Sequence, residues 1–496
     1  MLIARLSHWM VTLSWCVWMV SLPARNLANG RASQRYCQVT RPISRSLSVE
    51  PIARLGESSF TTFIRIAAGG VMIGHCDCNN FYVSCFRVFM PELRGRPVGV
   101  LAGGGGCIVA RSNELKALGV PNGLPAFQLS PDVRRQTVLL SSAYALFGEM
   151  SRRVVSTMQA HTGPISVYSI DEQFIDLSGL STDELQAHIT ELRHVVQRST
   201  GIPVSIGVAP SRTLAKVATG IAKKQPAFKG VCVLEADHPA TLGHLERMHI
   251  TDLWGVAKRT GEKLERMRIR TALDLRNAEP REIRKGFGVV LERTVWELRG
   301  VDVIRLDDID HKRQNIMTSR TFGQATSNME DLREAVRSHA QAGAEKVRRQ
   351  QSVAQAIMVF LSTPRFRSDL PQDYPSLTLP LPMPTDDSRV IVAAAQRALE
   401  MIYRRGYQYA KAGVMMVDLA DRDGLQIDML DTQETEERRQ QSAKLMGVMD
   451  ALNREFGRGA VTLGGMRKNE RWRQRDTRQT PRFLTSWNEI PEIKMG

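Results

Sequence analysis

Paired cysteines are missing from this sequence. Its 496 residues hold seven Cys, none in a C-x-x-C pair and none at disulfide-framework spacing, which excludes a small stapled scaffold and makes a reducing cytoplasm the simpler compartment. The ten His form no H-E-x-x-H pattern, so that type of zinc site is absent. Cys76, Cys78, Cys85 and Cys107 lie close together, but Cys76 and Cys78 sit inside an apolar strand-like run without knuckle spacing, so a zinc cluster is the poorer reading. No long-range repeat is present.

A long apolar span is lacking too. The opening stretch "MLIARLSHWMVTLSWCVWMVSLPA" has the length of a signal core and is too short and too polar for a membrane-crossing helix. Residues 1–70 carry eight Arg, no Lys and two acids, and beyond the apolar stretch they show neither helical nor strand periodicity. A well-patterned segment begins at Met72, so residues 1–71 are best read as a start placed too far upstream or a disordered extension. A secretion signal and an amphipathic membrane anchor are the other readings.

What is present is an ordinary globular composition, 43% hydrophobic and 24% charged, long enough for several domains. The 67 Lys and Arg outweigh 51 Asp and Glu, giving a net charge of +16 and a pI near 9.8. That balance favours a polyanion such as nucleic acid, with an anionic membrane second.

From Val71 the pattern alternates between strands and helices: "VMIGHCDC", the aromatic helix start "NNFYVSCFRVF", "RPVGVLAG", a Gly run, "CIVAR", then helical segments. A helix over Ser181–Thr200, the strand "VSIGVA" and the helix "SRTLAKVATGIAKK" complete a mixed region with helices on one side of a sheet. From about Pro239 to Asp308 the pattern is helical, and "TDLWGVAKRTGEKLERM" reads as two helices around a Gly turn. A βαββαβ order follows, with a helix over Met329–Gln351. Beyond about Arg422 the chain is polar and basic with few apolar repeats, which reads as a tail carrying short contacts.

In "VYSIDEQFIDLSG" two apolar runs flank Asp171 and Glu172, so the acidic pair belongs at or beside a hairpin turn. A solvated turn is the plain explanation. Asp77 gives another, because it ends the first strand of the same region. If that strand lies beside the hairpin, three carboxylates converge and repel by several kcal/mol. Hard divalent cations with oxygen ligands make such a cluster tolerable, and two of them would clamp a phosphoryl group and activate a hydroxyl.

"CDCNNFYVSC", "GCIVARSNELKALGVP", "YSIDEQFIDLSG", "GVAPSRTLAKVATGIAKK" and "LWGVAKRTGEKL", in this order, resemble the Y-family DNA polymerases, and among them the UmuC branch, from about Met72 to Trp487. The resemblance implies an α+β right-hand polymerase. It assigns a ferredoxin-like palm to 72–80 and 143–236, small fingers to 81–142, a helix-hairpin-helix-like thumb to 237–308, a βαββαβ little finger to 312–421 and a C-terminal tail to 422–496. It implies that Asp77, Asp171 and Glu172 are catalytic and, with the carbonyl of Cys78, hold two Mg²⁺ ions. Tyr82 matches the steric gate against a ribose 2′-hydroxyl, with Phe81 in the same nucleotide-binding motif. Lys116 and Lys223 match positions that hold the incoming triphosphate, and Arg111 is a further candidate, whereas Lys216 and Lys224 read equally well as solvated helix charges.

Three features depart from the family pattern: the "AGGGGC" loop with Gly103 to Gly106, Gln173 where a small residue is usual, and Ala257 where the thumb turn would offer a second Gly. For DNA, Gly255 and Lys258 of the thumb turn and Arg333, Arg337, Lys346, Arg348 and Arg349 of one helical segment are candidates, with Arg404 and Arg405 near the end of another. A solvated face is the plain alternative for such runs. Gln426, Ile427, Asp428, Met429 and Leu430 ("QIDML") resemble a peptide that docks on the sliding clamp. The basic, aromatic-bearing stretch from Met466 to Arg482 fits DNA or, by resemblance, a UmuD-type dimer or RecA.

The activity implied is error-prone translesion synthesis from primer-template DNA and deoxynucleoside triphosphates in SOS mutagenesis, cytoplasmic and without stable membrane association. The rivals are a catalytically inactive polymerase-like adaptor and a palm enzyme that makes cyclic nucleotides.

Overall fold

Runs of β-branched and aromatic residues bounded by Gly, Pro and Asn give short strands, and several helices start at side-chain caps such as Ser181, Ser211 and Thr271. The computed structural model describes residues 70–102, 106–304, 312–367, 369–422, 433–457, 459–464, 480–481, 483–484 and 486–490. The strands are β1 (Ile73–Cys78), β2 (Val98–Leu101), β3 (Ile108–Arg111), β4 (Val138–Ser141), β5 (Ile165–Val167), β6 (Glu172–Asp176), β7 (Val204–Ala209), β8 (Val231–Val233), β9 (Ile316–Thr326), β10 (Ser352–Ser362), β11 (Ser376–Thr385) and β12 (Tyr409–Asp421). The chain divides into two units, 1–88 with 147–304, and 89–146 with 305–496. The helix Phe81–Phe89 therefore belongs to the first unit almost to its end, whereas the family resemblance starts the fingers at 81.

In the first unit the sheet order is β5-β6-β1-β7-β8. β1 is central and antiparallel to both β6 and β7, so its residues are covered on both flanks by main-chain hydrogen bonds. The helix Arg212–Lys224, capped by Ser211, lies on β1 and β7. Gly207 permits this, since a Cβ there would meet the main chain of Ala215, Ala218 and Thr219. The expected helix after the hairpin is Thr182–Thr200, opened by a capping box between Ser181 and Glu184 and closed at Gly201 with φ 73°.

The helical block after it is Pro239–Arg247, Lys258–Arg266, Ala272–Asn277, Pro280–Phe287 and Val289–Leu298. The expected helix pair around the Gly turn is one helix preceded by a single 3₁₀ turn, Ile250–Asp252, because Gly255 at φ 84° breaks the segment early. The buried carboxylate of Glu297 accepts from the main-chain N–H groups of Thr213 (2.9 Å), Val303 (2.9 Å) and Ile304 (3.0 Å), tying this block to the first turn of the Arg212–Lys224 helix.

The second unit holds the three-stranded sheet β3-β2-β4 and the four-stranded sheet β11-β10-β12-β9. Helices Met329–Arg349 and Ser388–Ile402 pack on the larger sheet around Ile357, Val359, Leu399 and Val414, which is the expected βαββαβ module. Its Pro-rich strand β11 lies at the edge, where missing N–H donors are tolerated.

The tail differs from expectation. It forms the helix Gln433–Glu455, whose Met446 and Met449 are buried. Asp450 receives both Nε and Nη2 of Arg348, each at 2.7 Å. Its apolar residues are confined to the second half and do not mark one buried face, since Leu445 and Val448 beside the buried Met446 and Met449 are exposed, and the buried ion pair supplies the rest of the contact. The clamp-like residues Gln426 to Leu430, Gly103 to Gly105, and residues 1–69 lie outside the described residues, as does most of the basic tail. No helix among the described residues is long and apolar enough to cross a membrane.

Candidate active site

Asp77 and Glu172 are direct cross-strand partners in the β1–β6 pairing. Asp171 sits one residue earlier, in the turn, where its carbonyl accepts the N–H of Cys78 at 2.9 Å. The loop Tyr168–Asp171 is held by Ser169, whose hydroxyl donates to Asp171 Oδ1 at 2.7 Å and accepts from the N–H of Glu172 at 3.1 Å. The three acids predicted from sequence are therefore gathered at one end of the sheet. Burial pushes the Asp77 carboxyl up to about 6, opposed by Lys223 and reinforced by Asp171 and Glu172. Burial also raises Asp171, with the Ser169 hydroxyl working against it.

Two ammonium groups offset this charge. Lys223 pairs with Asp77, and Lys216 meets Glu172 Oε1 at 2.9 Å. Lys216 is only 11% exposed along its side chain, and its Nζ lies 4.6 Å from the Tyr168 ring centre and 5.1 Å from that of Trp254. Trp254 Nε1 donates to the Tyr168 hydroxyl at 3.2 Å, closing the cage. Lys216 is thus a fixed cation of the site and not a solvated helix charge. The sequence did carry a signal: Arg212, Lys216, Thr219 and Lys223 fall on one stripe of the helix, and each meets a β1 or β6 side chain. A cavity of about 380 Å³ opens here, lined among others by Asp77, Glu172, Lys216, Lys223 and Trp254.

Asp77 and Glu172 pair with these lysines, and among the described residues no group of three or more His, Cys, Asp or Glu side chains is arranged to hold a metal ion. The donor set still suits a hard divalent cation. All three side chains are oxygen donors, burial penalises the charge of Asp77 and Asp171, and the counter-charge is supplied by the Lys216 and Lys223 ammonium groups, whose place a cation can take. Zinc does not fit: Cys76, Cys78 and Cys85 are buried, and burial holds their thiols well above the usual range. With its thiol in the core, Cys78 has only its main chain to offer.

Tyr82 stacks on Phe147 with ring centres 4.1 Å apart and planes 4° from parallel. Phe81 is 3% exposed and tilts against both rings, so it backs Tyr82 and offers no face to a nucleotide, which corrects its predicted contact role. Arg111 and Lys116 belong to the second unit. There Arg111 Nη1 donates to the carbonyl of Val120 at 2.5 Å, and Lys116 is exposed on the helix Asn113–Ala117.

Gly255 and Lys258 are exposed at the start of the helix Lys258–Arg266. On the Met329–Arg349 helix, Arg333 pairs with Glu330 (2.7 Å) and Glu400 (3.0 Å), Arg349 pairs with Glu345 (2.8 Å), and Arg337 donates to the carbonyl of Gly464 (2.9 Å). Lys346 is half-buried. Arg348 is 8% exposed and fully engaged with Asp450, Ser388 and the carbonyl of Asp386, so the structure removes it from the DNA-facing candidates. Arg404 lies 3.3 Å from Asp373.

Comparison with known proteins adds three matches along the chain: the impB/mucB/samB family over residues 76–220, the C-terminal domain of that family over 313–429, and a domain of unknown function (DUF4113) over 443–493. Protein ImpB of Salmonella typhimurium is 37% identical over 430 residues, 86% of this chain and 100% of the relative. Protein UmuC of Salmonella typhimurium strain LT2 is 38% identical over 427 residues, 85% of this chain and 100% of the relative. Among solved structures, a Y-family DNA polymerase chimera of Dbh and Dpo4 superposes with a TM-score of 0.53 at 17% identity, covering 71% of this chain and 99% of its own, which is a likeness of fold.

Proposed function

Because this chain belongs to the impB/mucB/samB family and is a Y-family DNA polymerase of the UmuC type, we propose that it performs Mg²⁺-dependent translesion synthesis in the SOS response, with Asp77, Asp171 and Glu172 as the ion-binding acids. The observation that carries the reading is the pairing of Asp77 with Glu172 across β1 and β6, with Asp171 tied to Cys78 beside them. In this reading 72–80 with 143–236 are palm, 81–142 fingers, 237–308 thumb and 312–421 little finger.

Two bound Mg²⁺ ions would supply charge neutralisation on the transferring phosphoryl group and lower the pKa of the primer hydroxyl. The chain's own part is binding and exclusion. Asp77 and Asp171, with the Cys78 carbonyl, and Glu172 beside them provide the oxygen ligands. Lys223, sharing Asp77 in the resting site, is placed to grip a triphosphate; Lys116 and Arg111 are the fingers cations that the family resemblance proposes for the same ligand. Tyr82, braced flat on Phe147, fills the place of a 2′-hydroxyl and so favours deoxynucleotides. Phosphoryl transfer asks little more of a protein than positioning and charge, and no separate side-chain base is required.

The primer-template is held without reading bases, through Gly255 and Lys258 and the cations Arg333, Arg337, Lys346 and Arg349, of which Arg333 and Arg349 sit in surface ion pairs weak enough to exchange for phosphate. A UmuD-type dimer, RecA and the sliding clamp, the last through Gln426 to Leu430, are the proposed partners in the cytoplasm. The test is extension of a primed template with Mg²⁺, with and without a UmuD-type partner and RecA filaments. Extension that stops on Asp171→Asn is the expected result. Extension that persists in that variant would show that the chemistry lies elsewhere, and none under any condition would favour the inactive adaptor.

A further inference from the structure

Beside the acids lies one buried polar atom that the chemistry above does not use. His75 precedes Asp77 by two residues on β1, on the same face of the sheet, and is 2% exposed with its ring 4.9 Å from that of Phe174. Its Nδ1 is 2.9 Å from Thr219 Oγ1. Its Nε2 is 3.6 Å from Glu172 Oε1 and has no hydrogen-bond partner among the described residues. That separation is too long for a hydrogen bond, and an orphaned buried nitrogen costs about 1–3 kcal/mol. Lys216 already holds the same Oε1 at 2.9 Å, so two donors compete for one oxygen.

We propose that His75 is a positioning residue for Glu172, donating from Nε2 to its carboxylate once a divalent cation has replaced the Lys216 ammonium as that carboxylate's counter-charge. This rests on the reading of Asp77, Asp171 and Glu172 as the ion-binding acids. The tautomer follows from the partners. A proton on Nδ1 would point the Nε2 lone pair at a carboxylate, whereas a proton on Nε2 makes a charge-assisted donor and lets the Thr219 hydroxyl donate to Nδ1. The hydroxyl then gives up its contacts to the carbonyls of His75 and Ala215, each at 2.9 Å, which are neutral and weaker.

The experiment is Mn²⁺ binding to the full chain, without DNA or nucleotide, measured by calorimetry on the wild type, Asp171→Asn, His75→Leu, His75→Gln and Thr219→Val. His75→Leu should weaken Mn²⁺ on the order of 10-fold. His75→Gln, which returns an N–H close to the place of Nε2, should recover most of the loss, and Thr219→Val should fall between. Nitrogen-15 NMR of selectively labelled histidine, with His75 assigned from the Gln variant, should find its proton on Nε2 in the Mg²⁺-loaded wild type. Unchanged affinity in His75→Leu while Asp171→Asn weakens binding, or a proton on Nδ1, overturns the role of His75 and leaves the acids as ligands. Equal affinity in wild type and Asp171→Asn overturns the ion reading, and the role of His75 with it.

Discussion

Replacing Asp77 by Asn should stabilise the ion-free protein while abolishing its polymerase activity. Holding that carboxyl at about 6, against 3.8 for a free Asp, means that ionising it in the fold costs about 3 kcal/mol more than in the unfolded chain. Asn imitates the uncharged carboxyl, so at about pH 7.5 in EDTA the variant should gain about 2–3 kcal/mol. The sign is set by which state gives up its proton first. Between about pH 4 and 6 the unfolded chain has lost the Asp77 proton and the folded chain has kept it, so wild-type stability falls as pH rises through that window. The gap between variant and wild type should therefore be widest above pH 6 and close as pH falls towards 4. Urea denaturation followed by circular dichroism at several pH values reads this directly. If the three acids hold Mg²⁺ as proposed, adding it should narrow or reverse the order, because the wild-type site would bind the ion more tightly than one lacking an acid. A variant no more stable than wild type at about pH 7.5, or a gap that ignores pH, would refute the claim that burial and repulsion strain this carboxylate.

Three other outcomes are expected. Tyr82→Ala should raise ribonucleotide insertion on the order of 10–100-fold relative to deoxynucleotide insertion, measured by single-nucleotide extension; unchanged discrimination would take the gate away from this ring. Gln173 is fully buried with both amide atoms unpartnered among the described residues, so Gln173→Met should raise the urea midpoint by the equivalent of about 1–3 kcal/mol, and a loss of stability would reveal a partner for the amide. Arg348→Met strands Asp450 and should destabilise the second unit by about 3–5 kcal/mol in thermal melts, with Arg348→Met/Asp450→Leu recovering most of it; a single variant that melts like wild type would mean the pair is loose.

The acidic site was legible because its signals are local. The turn that presents Asp171 needs only Ser169 two residues earlier, and the placement of Asp77 follows from its position at the end of a strand once β1 and β6 pair. The βαββαβ order was legible for the same reason, each strand and helix announcing its own period. What stayed hidden depends on distant partners. Lys216 is separated from Glu172 by 44 positions, and its cage joins Tyr168 to Trp254 across two structural blocks. The burial of Arg348 depends on Asp450, 102 positions away, so a helix rich in arginine looked uniformly solvent-facing. The 3₁₀ turn before Trp254 was missed because the apolar spacing was right for a helix and only Gly255 cut it short.

The two lysines leave the resting enzyme with its own counter-ions already in place. If the acids hold divalent ions as proposed, loading would be a swap, in which the Lys216 and Lys223 ammonium groups give up their carboxylates and stay tethered within reach. A displaced ammonium would have lost its anion and would be at its most receptive to phosphate just when the site is loaded. Occupancy by metal and appetite for nucleotide would thereby be linked through side chains alone, and either ligand should sharpen the hold on the other.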